Sequence, residues 1–139
     1  MSDEMEGKGS CLCGAVHFKA HNAQKSMGAC HCNMCRKWGG GPYMSVRCES
    51  EVSFDGKDSI SEFSSSAWAD RGFCKTCGTH LYFRLKENGH YFIPAGAFDD
   101  QDQFTFDRQV YIDSKPHYYS FANETTNMTE ADILEILGK

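Results

Sequence analysis

CHCNMC, Cys30 to Cys35, places three thiols within six residues, and what those thiols do decides how the chain around them folds. Two further phrases repeat the theme: CLC at Cys11 and Cys13, and CKTC at Cys74 and Cys77. Seven of the eight cysteines lie in these three clusters, and Cys48 stands alone. Either the clusters pair as disulfides or they hold metal.

The compartment decides between the two. The N-terminus, MSDEMEGKGS, is polar and acidic where a secretory signal would run basic and then apolar. No apolar run reaches the length of a membrane span. The sequence therefore predicts a cytoplasmic protein without membrane association. There thiols are kept reduced, and closely spaced cysteines hold metal, zinc above all, rather than disulfides. A net charge of -5 without a basic face argues against nucleic acid as a main partner, because phosphate binding needs one. A small or neutral partner fits better. At 139 residues the chain can bury a core of its own, and no repeat or linker divides it. The expected organisation is a flexible tail over residues 1–8 and a single zinc-binding domain over 9–139.

Alternating patterns predict a mainly β protein. Val16, Phe18 and Ala20 alternate with His17 and Lys19; Met44, Val46 and Cys48 alternate with Tyr43, Ser45 and Arg47; Leu81, Phe83 and Leu85 point inward with Tyr82 and Arg84 outward. Shorter runs at 91–95 and 110–112 read as further strands, with turns at Asp55-Gly56 and Asn88-Gly89. Residues 99–106 carry no clear signal and read as loop or edge strand. The C-terminal TEADILEILGK predicts one short helix, with Thr129 as cap, Asp132 three residues on, and Gly138 as its end.

In a strand, residues two apart share a face, so Cys11 and Cys13 can reach one metal while Leu12 packs behind. Cys74 and Cys77 bracket a turn followed by Gly78, the shape of a zinc knuckle, in which backbone N–H groups can bond to sulfur. Together these four complete a tetrahedral structural site. Cys30, Cys32 and Cys35 remain, the first two expected on one strand face and the third brought round by the turn at Asn33-Met34. Three protein ligands leave a coordination position free, which marks a catalytic zinc. Three thiolates and a divalent cation sum to about one negative charge. Such a zinc is a weak Lewis acid, better suited to holding an incoming thiol as thiolate than to hydrolysis. A fourth ligand from His31, His80 or Cys48 would instead close the shell. His31 should face away, His80 sits at a strand start, and Cys48 lies on the apolar side of its strand as a buried thiol.

The order GSCLCGAV, CHCNMCRKWGGG and RGFCKTCGTHLYFR closely resembles the glutathione-dependent formaldehyde-activating enzyme family, which includes the centromere protein V relatives. The resemblance runs from about Gly9 to Tyr118. It implies an Mss4-like fold of small β-sheets around zinc. It also implies two zinc ions per chain, one structural on Cys11, Cys13, Cys74 and Cys77, and one catalytic on Cys30, Cys32 and Cys35. The activity it implies is that of a carbon-sulfur lyase of the S-hydroxymethylglutathione synthase type, joining glutathione and formaldehyde. YIDSKPHYYSF resembles the family's Ser-Lys-x-Pro-Trp region but places His117 or Tyr118 where Trp is usual, a departure that bears on substrate choice.

Glutathione carries two carboxylates and an ammonium, so its site needs a cation; Arg36, Lys37 and Arg71 are the candidates. Trp38 could wall the pocket, and Gly39 to Gly41 read as a flexible turn beside the metal. Two other functions compete with the lyase. A non-catalytic zinc module binding a protein partner would show a closed second zinc and an apolar patch. A zinc-thiolate redox switch would release metal from the trio on oxidation.

Overall fold

The computed structural model describes residues 4–138. Ten strands join in one sheet: β1 (Glu4–Ser10), β2 (His17–Cys30), β3 (Tyr43–Cys48), β4 (Val52–Asp55), β5 (Ile60–Ser64), β6 (Ala69–Cys74), β7 (His80–Leu85), β8 (Tyr91–Pro94), β9 (Thr105–Val110) and β10 (Thr126–Met128). Two short α-helices complete the fold, α1 (Asn33–Gly39) and α2 (Glu130–Leu137). The protein is mostly β, as the alternating patterns predict.

The long strand β2 organises everything else by changing partners along its length. Its first half pairs with β1 on one edge and β4 on the other, and its last residues, Met27 to Cys30, pair with β3 and, in parallel, with β9. The register with β3 slips between Ala23 and Met27, where the strand passes from one set of partners to the other. From β3 the sheet continues through β8, β7 and β6 to β5. The alternation in HFKAH buries Phe18 and Ala20 and leaves His17, Lys19 and His21 outside. Val16, Phe18, Val46, Leu81, Ile93 and Phe98 form the centre of the core, each contributing roughly 1.5–3 kcal/mol by leaving water. Phe98 meets Phe18 edge-on at 5.1 Å.

Several elements differ from expectation. Glu4–Lys8, expected in a flexible tail, belong to β1, whose Gly9 lies so near Ala97 that an added Cβ would fall 2.0 Å from its carbonyl oxygen; residues 1–3 lie outside the described residues. Tyr82, expected outward, is buried, because β7 is covered on both faces. Its ring packs on Phe54 and Tyr91 and lies over Gly72 of the neighbouring strand. The strand expected at 110–112 is the end of β9. Tyr111 takes a left-handed backbone, φ 54°, which no strand continues through, and a 3-10 turn, Ile112–Ser114, follows.

The C-terminal helix forms where the sequence places it. The Thr129 hydroxyl accepts from Asp132 N, the Asp132 carboxylate accepts from Thr129 N, and Gly138 ends the helix. Among the described residues no helix is long and apolar enough to cross a membrane.

Candidate metal centres

The structure brings the cysteines together as a quartet and a trio. Cys11, Cys13, Cys74 and Cys77 lie with all four sulfurs within 4.8 Å of one another. Cys11 and Cys13 do not share a strand face; they occupy a turn between β1 and β2 closed by Cys11 N–H to Val16 O (3.0 Å) and Gly14 N–H to Cys11 O (3.2 Å). Leu12, expected to pack behind them, is 91% exposed, because the turn points it outward. Its N–H donates to Thr79 Oγ1 at 3.1 Å, tying this turn to the knuckle. The knuckle follows β6, with Gly78 N–H bonded to Cys74 O at 2.7 Å and Gly78 at φ 79°, a conformation that favours glycine.

The quartet's dimensions suit a metal. Tetrahedral thiolates at 2.3 Å from an ion lie about 3.8 Å from each other. Here Cys11 Sγ and Cys13 Sγ are 3.6 Å apart, and Cys13 Sγ and Cys74 Sγ 3.8 Å. Val16 N–H donates to Cys11 Sγ at 3.3 Å, and the Thr79 hydroxyl and N–H hold Cys77 down to about 5. The contacts from Val16 and Thr79 favour thiolates at Cys11 and Cys77, the form that binds metal, whereas the neighbouring sulfurs push Cys13 up to about 12.

Cys30, Cys32 and Cys35 form the second group, again with sulfurs within 4.8 Å. Cys30 ends β2. Cys35 is brought round by a helix rather than the expected turn: Cys32 is the N-cap of α1, its sulfur accepting from Cys35 N–H at 3.3 Å, and Cys35 sits one turn in, buried. Gly40 closes α1 in a left-handed conformation. Hydrogen bonds from the Cys30 and Cys35 thiols pull Cys32 far below the ordinary thiol range, while the same contact with Cys32 pushes Cys30 far above it. Without a metal the negative charge of the trio therefore sits on Cys32, held by its two neighbours.

None of the three suggested fourth ligands joins this group. His31 is fully buried and turned away, its Nε2–H donating to Gln109 Oε1 and its Nδ1 accepting from the Tyr119 hydroxyl, both at 2.7 Å. His80 stacks on Trp38 at 4.8 Å. Cys48 is buried against Val46 O, and burial pushes its thiol up to about 12. Among the described residues the trio has three donors, and either group could hold a metal ion.

The candidate cations fare differently. Arg36 is committed to the local fold, its Nε–H donating to His31 O at 2.9 Å. Lys37 is exposed on the last turn of α1. Arg71 is buried, with Nη2 3.5 Å from Cys35 Sγ. Trp38 forms a wall with Phe63, Phe73 and His80. Sequence reasoning missed Tyr111. Burial, then its proximity to Cys32 and Cys30, push its hydroxyl up to about 12. Only its place one residue beyond Val110, the partner of Cys30 in the sheet, could have revealed it.

The SKPHYYSF segment straps this region. Lys115 Nζ donates to the carbonyls of Pro116 and Tyr119, and Tyr119 and Phe121 pack on the His31 ring. His117 and Tyr118 are both exposed. A cavity of about 670 Å³ opens beside the quartet instead, lined by Cys11, Gly39, Tyr43, Met44, Thr79 and His80 among others, and by none of the trio or the strap.

A sheet that presents a cluster of four cysteines and a cluster of three defines a class of β protein with two groups that could hold metal ions. The comparisons place the chain more narrowly. Residues 6–114 match the glutathione-dependent formaldehyde-activating enzyme family, and the chain belongs to that family. It is 39% identical over 135 residues to a protein of Schizosaccharomyces pombe named as an uncharacterized lyase, covering 96% of this chain and 98% of that one. In fold it resembles the crystal structure of a Rhodobacter sphaeroides protein, with a TM-score of 0.57 and 23% identity over 66% of this chain and 87% of the other. The family and the lyase-named relative support a lyase of the formaldehyde-activating type.

Proposed function

We propose that the protein joins glutathione, or a similar small thiol, to formaldehyde or another small aldehyde, and reverses that addition, using one of two zinc ions bound per chain. The observation that carries this reading is the trio: three thiols gathered by a strand end and a helix cap, with no fourth protein donor among the described residues. The fourth position would be left for a reactant.

Zinc held by Cys30, Cys32 and Cys35 would supply a position at which an incoming thiol stays ionised at neutral pH. The sulfur lone pair then forms the C–S bond, the carbonyl π pair moves to oxygen, and that oxygen takes a proton. The chain's own groups do the rest. The Tyr111 hydroxyl, kept neutral, is the donor available to the developing oxygen. Exposed Lys37 offers a cation to a carboxylate of the thiol, and the Trp38–His80 wall limits what reaches the trio. Holding both reactants in one orientation supplies much of the acceleration. Zinc on Cys11, Cys13, Cys74 and Cys77 would be structural, since the protein fills its shell.

The test follows adduct formation by NMR with carbon-13 formaldehyde and glutathione. The zinc-loaded protein should accelerate it saturably, and Cys32→Ser should abolish the acceleration. An uncatalysed rate with every small thiol tried would overturn the reading. The exposed apolar residues that would suit a protein-binding module, Leu12, Met34, Phe63, Tyr118 and Ile136, sit on separate elements.

A further inference from the structure

One buried charge has no partner that the fold explains. Arg71 is 2% exposed. Its Nε–H donates to Ser65 Oγ at 3.2 Å, Nη2 to Cys35 Sγ at 3.5 Å, and Nη1 is buried without any hydrogen-bond partner. The rings of Phe83 and Trp38 cover it at 4.9 and 5.9 Å. Among the described residues no carboxylate forms an ion pair with it: Asp70 and Glu62 are engaged by Arg84 and Lys86 instead.

Arginine does not give up its proton in a protein, and an uncompensated buried charge is strongly unfavourable. The compensating charge must come from what the guanidinium touches. That is the trio.

Three thiolates around a divalent ion sum to one negative charge, and a charge count on the trio alone omits Arg71. With it the sum is zero. We propose that Arg71 is the fixed counter-charge of the trio, making the metal-loaded centre neutral so that an anionic fourth ligand, the thiolate of a small thiol, binds without net repulsion. The thiol's proton leaves to solvent as it binds. This rests on the reading of the trio as a metal centre. It adds a role for Arg71 distinct from contact with a substrate carboxylate, which its burial opposes.

The test uses the full chain loaded with cobalt(II), whose sulfur charge-transfer absorption reports thiolate binding, in wild type, Arg71→Met and Arg71→Lys. Metal per chain is read first. If Cys32→Ser does not lower the wild-type count, the trio holds no metal and the proposal falls together with that reading. With the trio loaded, Arg71→Met should bind 2-mercaptoethanol about 10- to 100-fold more weakly, as expected for removing one charge at this range. Neutral imidazole should bind within about threefold of wild type, and Arg71→Lys should recover most of the thiol affinity. If Arg71→Met instead loses metal from the trio, recovery of that metal in Arg71→Lys supports the charge role, and failure in both variants overturns it. Equal thiol affinity in wild type and Arg71→Met, or equal weakening for thiol and imidazole, overturns the proposal while leaving the metal centre intact.

Discussion

The Tyr119 hydroxyl lies 2.7 Å from Nδ1 of His31, joining residues 88 apart in sequence. His31 stands between two trio cysteines, so this bond ties the strap to the short link between the end of β2 and the cap of α1. Tyr119→Phe removes the donor and leaves Nδ1 buried without a partner, which should cost about 1–2 kcal/mol in denaturant unfolding. His31→Ala also leaves Gln109 Oε1 without its donor and opens a cavity, so its loss should reach about 3 kcal/mol. A Tyr119→Phe protein as stable as wild type would remove any structural role for the bond.

Metal content should separate the two clusters. Elemental analysis is expected to find two metals per chain, and the Cys32→Ser, Cys35→Ser double variant should keep one and remain folded. Cys74→Ser with Cys77→Ser should lose the other and much of the thermal stability, because the quartet joins the β1–β2 turn to the end of β6. Cys48→Ala should keep both metals.

Gly72 and Tyr82 are in register on β6 and β7, and a Cβ at Gly72 would fall 2.2 Å from Tyr82 Cζ. Gly72→Ala must push the ring aside and break its hydroxyl bond to Glu62. The expected loss is about 2–3 kcal/mol, read as a fall in Tm. An unchanged Tm would mean that the ring relocates freely.

Asp70 gives a pH dependence with a defined sign. Burial works to raise its carboxyl, but the hydrogen bond from Arg84 and the charges of Lys86 and Arg84 outweigh it and hold the value below the ordinary range. The unfolded chain therefore binds the proton more readily, and the stabilisation is present above about pH 4, the unfolded value. It is lost as pH falls through the folded value. Asp70→Asn should be less stable by about 1 kcal/mol at pH 7, and the gap should close in acid. A gap that stays constant with pH would assign the effect to something other than charge.

Spacing alone separates four cysteines from three, because each phrase supplies a fixed number of thiols and metal shells have fixed sizes. Local conformation was less legible. CLC resembles a strand in pattern, yet it folds into a turn, bonded back on itself through Val16 O. Helix α1 was hidden because a cysteine caps it, and cysteine is not among the usual capping residues. Arg71 resembles a surface charge in sequence; its burial depends on Cys35 and Trp38 of α1 and Phe83 of β7 converging on it from two distant segments. The C-terminal helix was readable because every signal for it is local.

The hydrogen bond from Leu12 N–H to Thr79 Oγ1 spans 67 residues. During synthesis from the N-terminus, β1, β2 and β4 are all made within the first 55 residues and can pair early, since domains fold as their segments emerge. The turn between β1 and β2 has no such local partner. Its two cysteines stay unmatched until Cys74 and Cys77 have been made, so a growing chain holds this pair of thiols open across the 61 residues that separate Cys13 from Cys74.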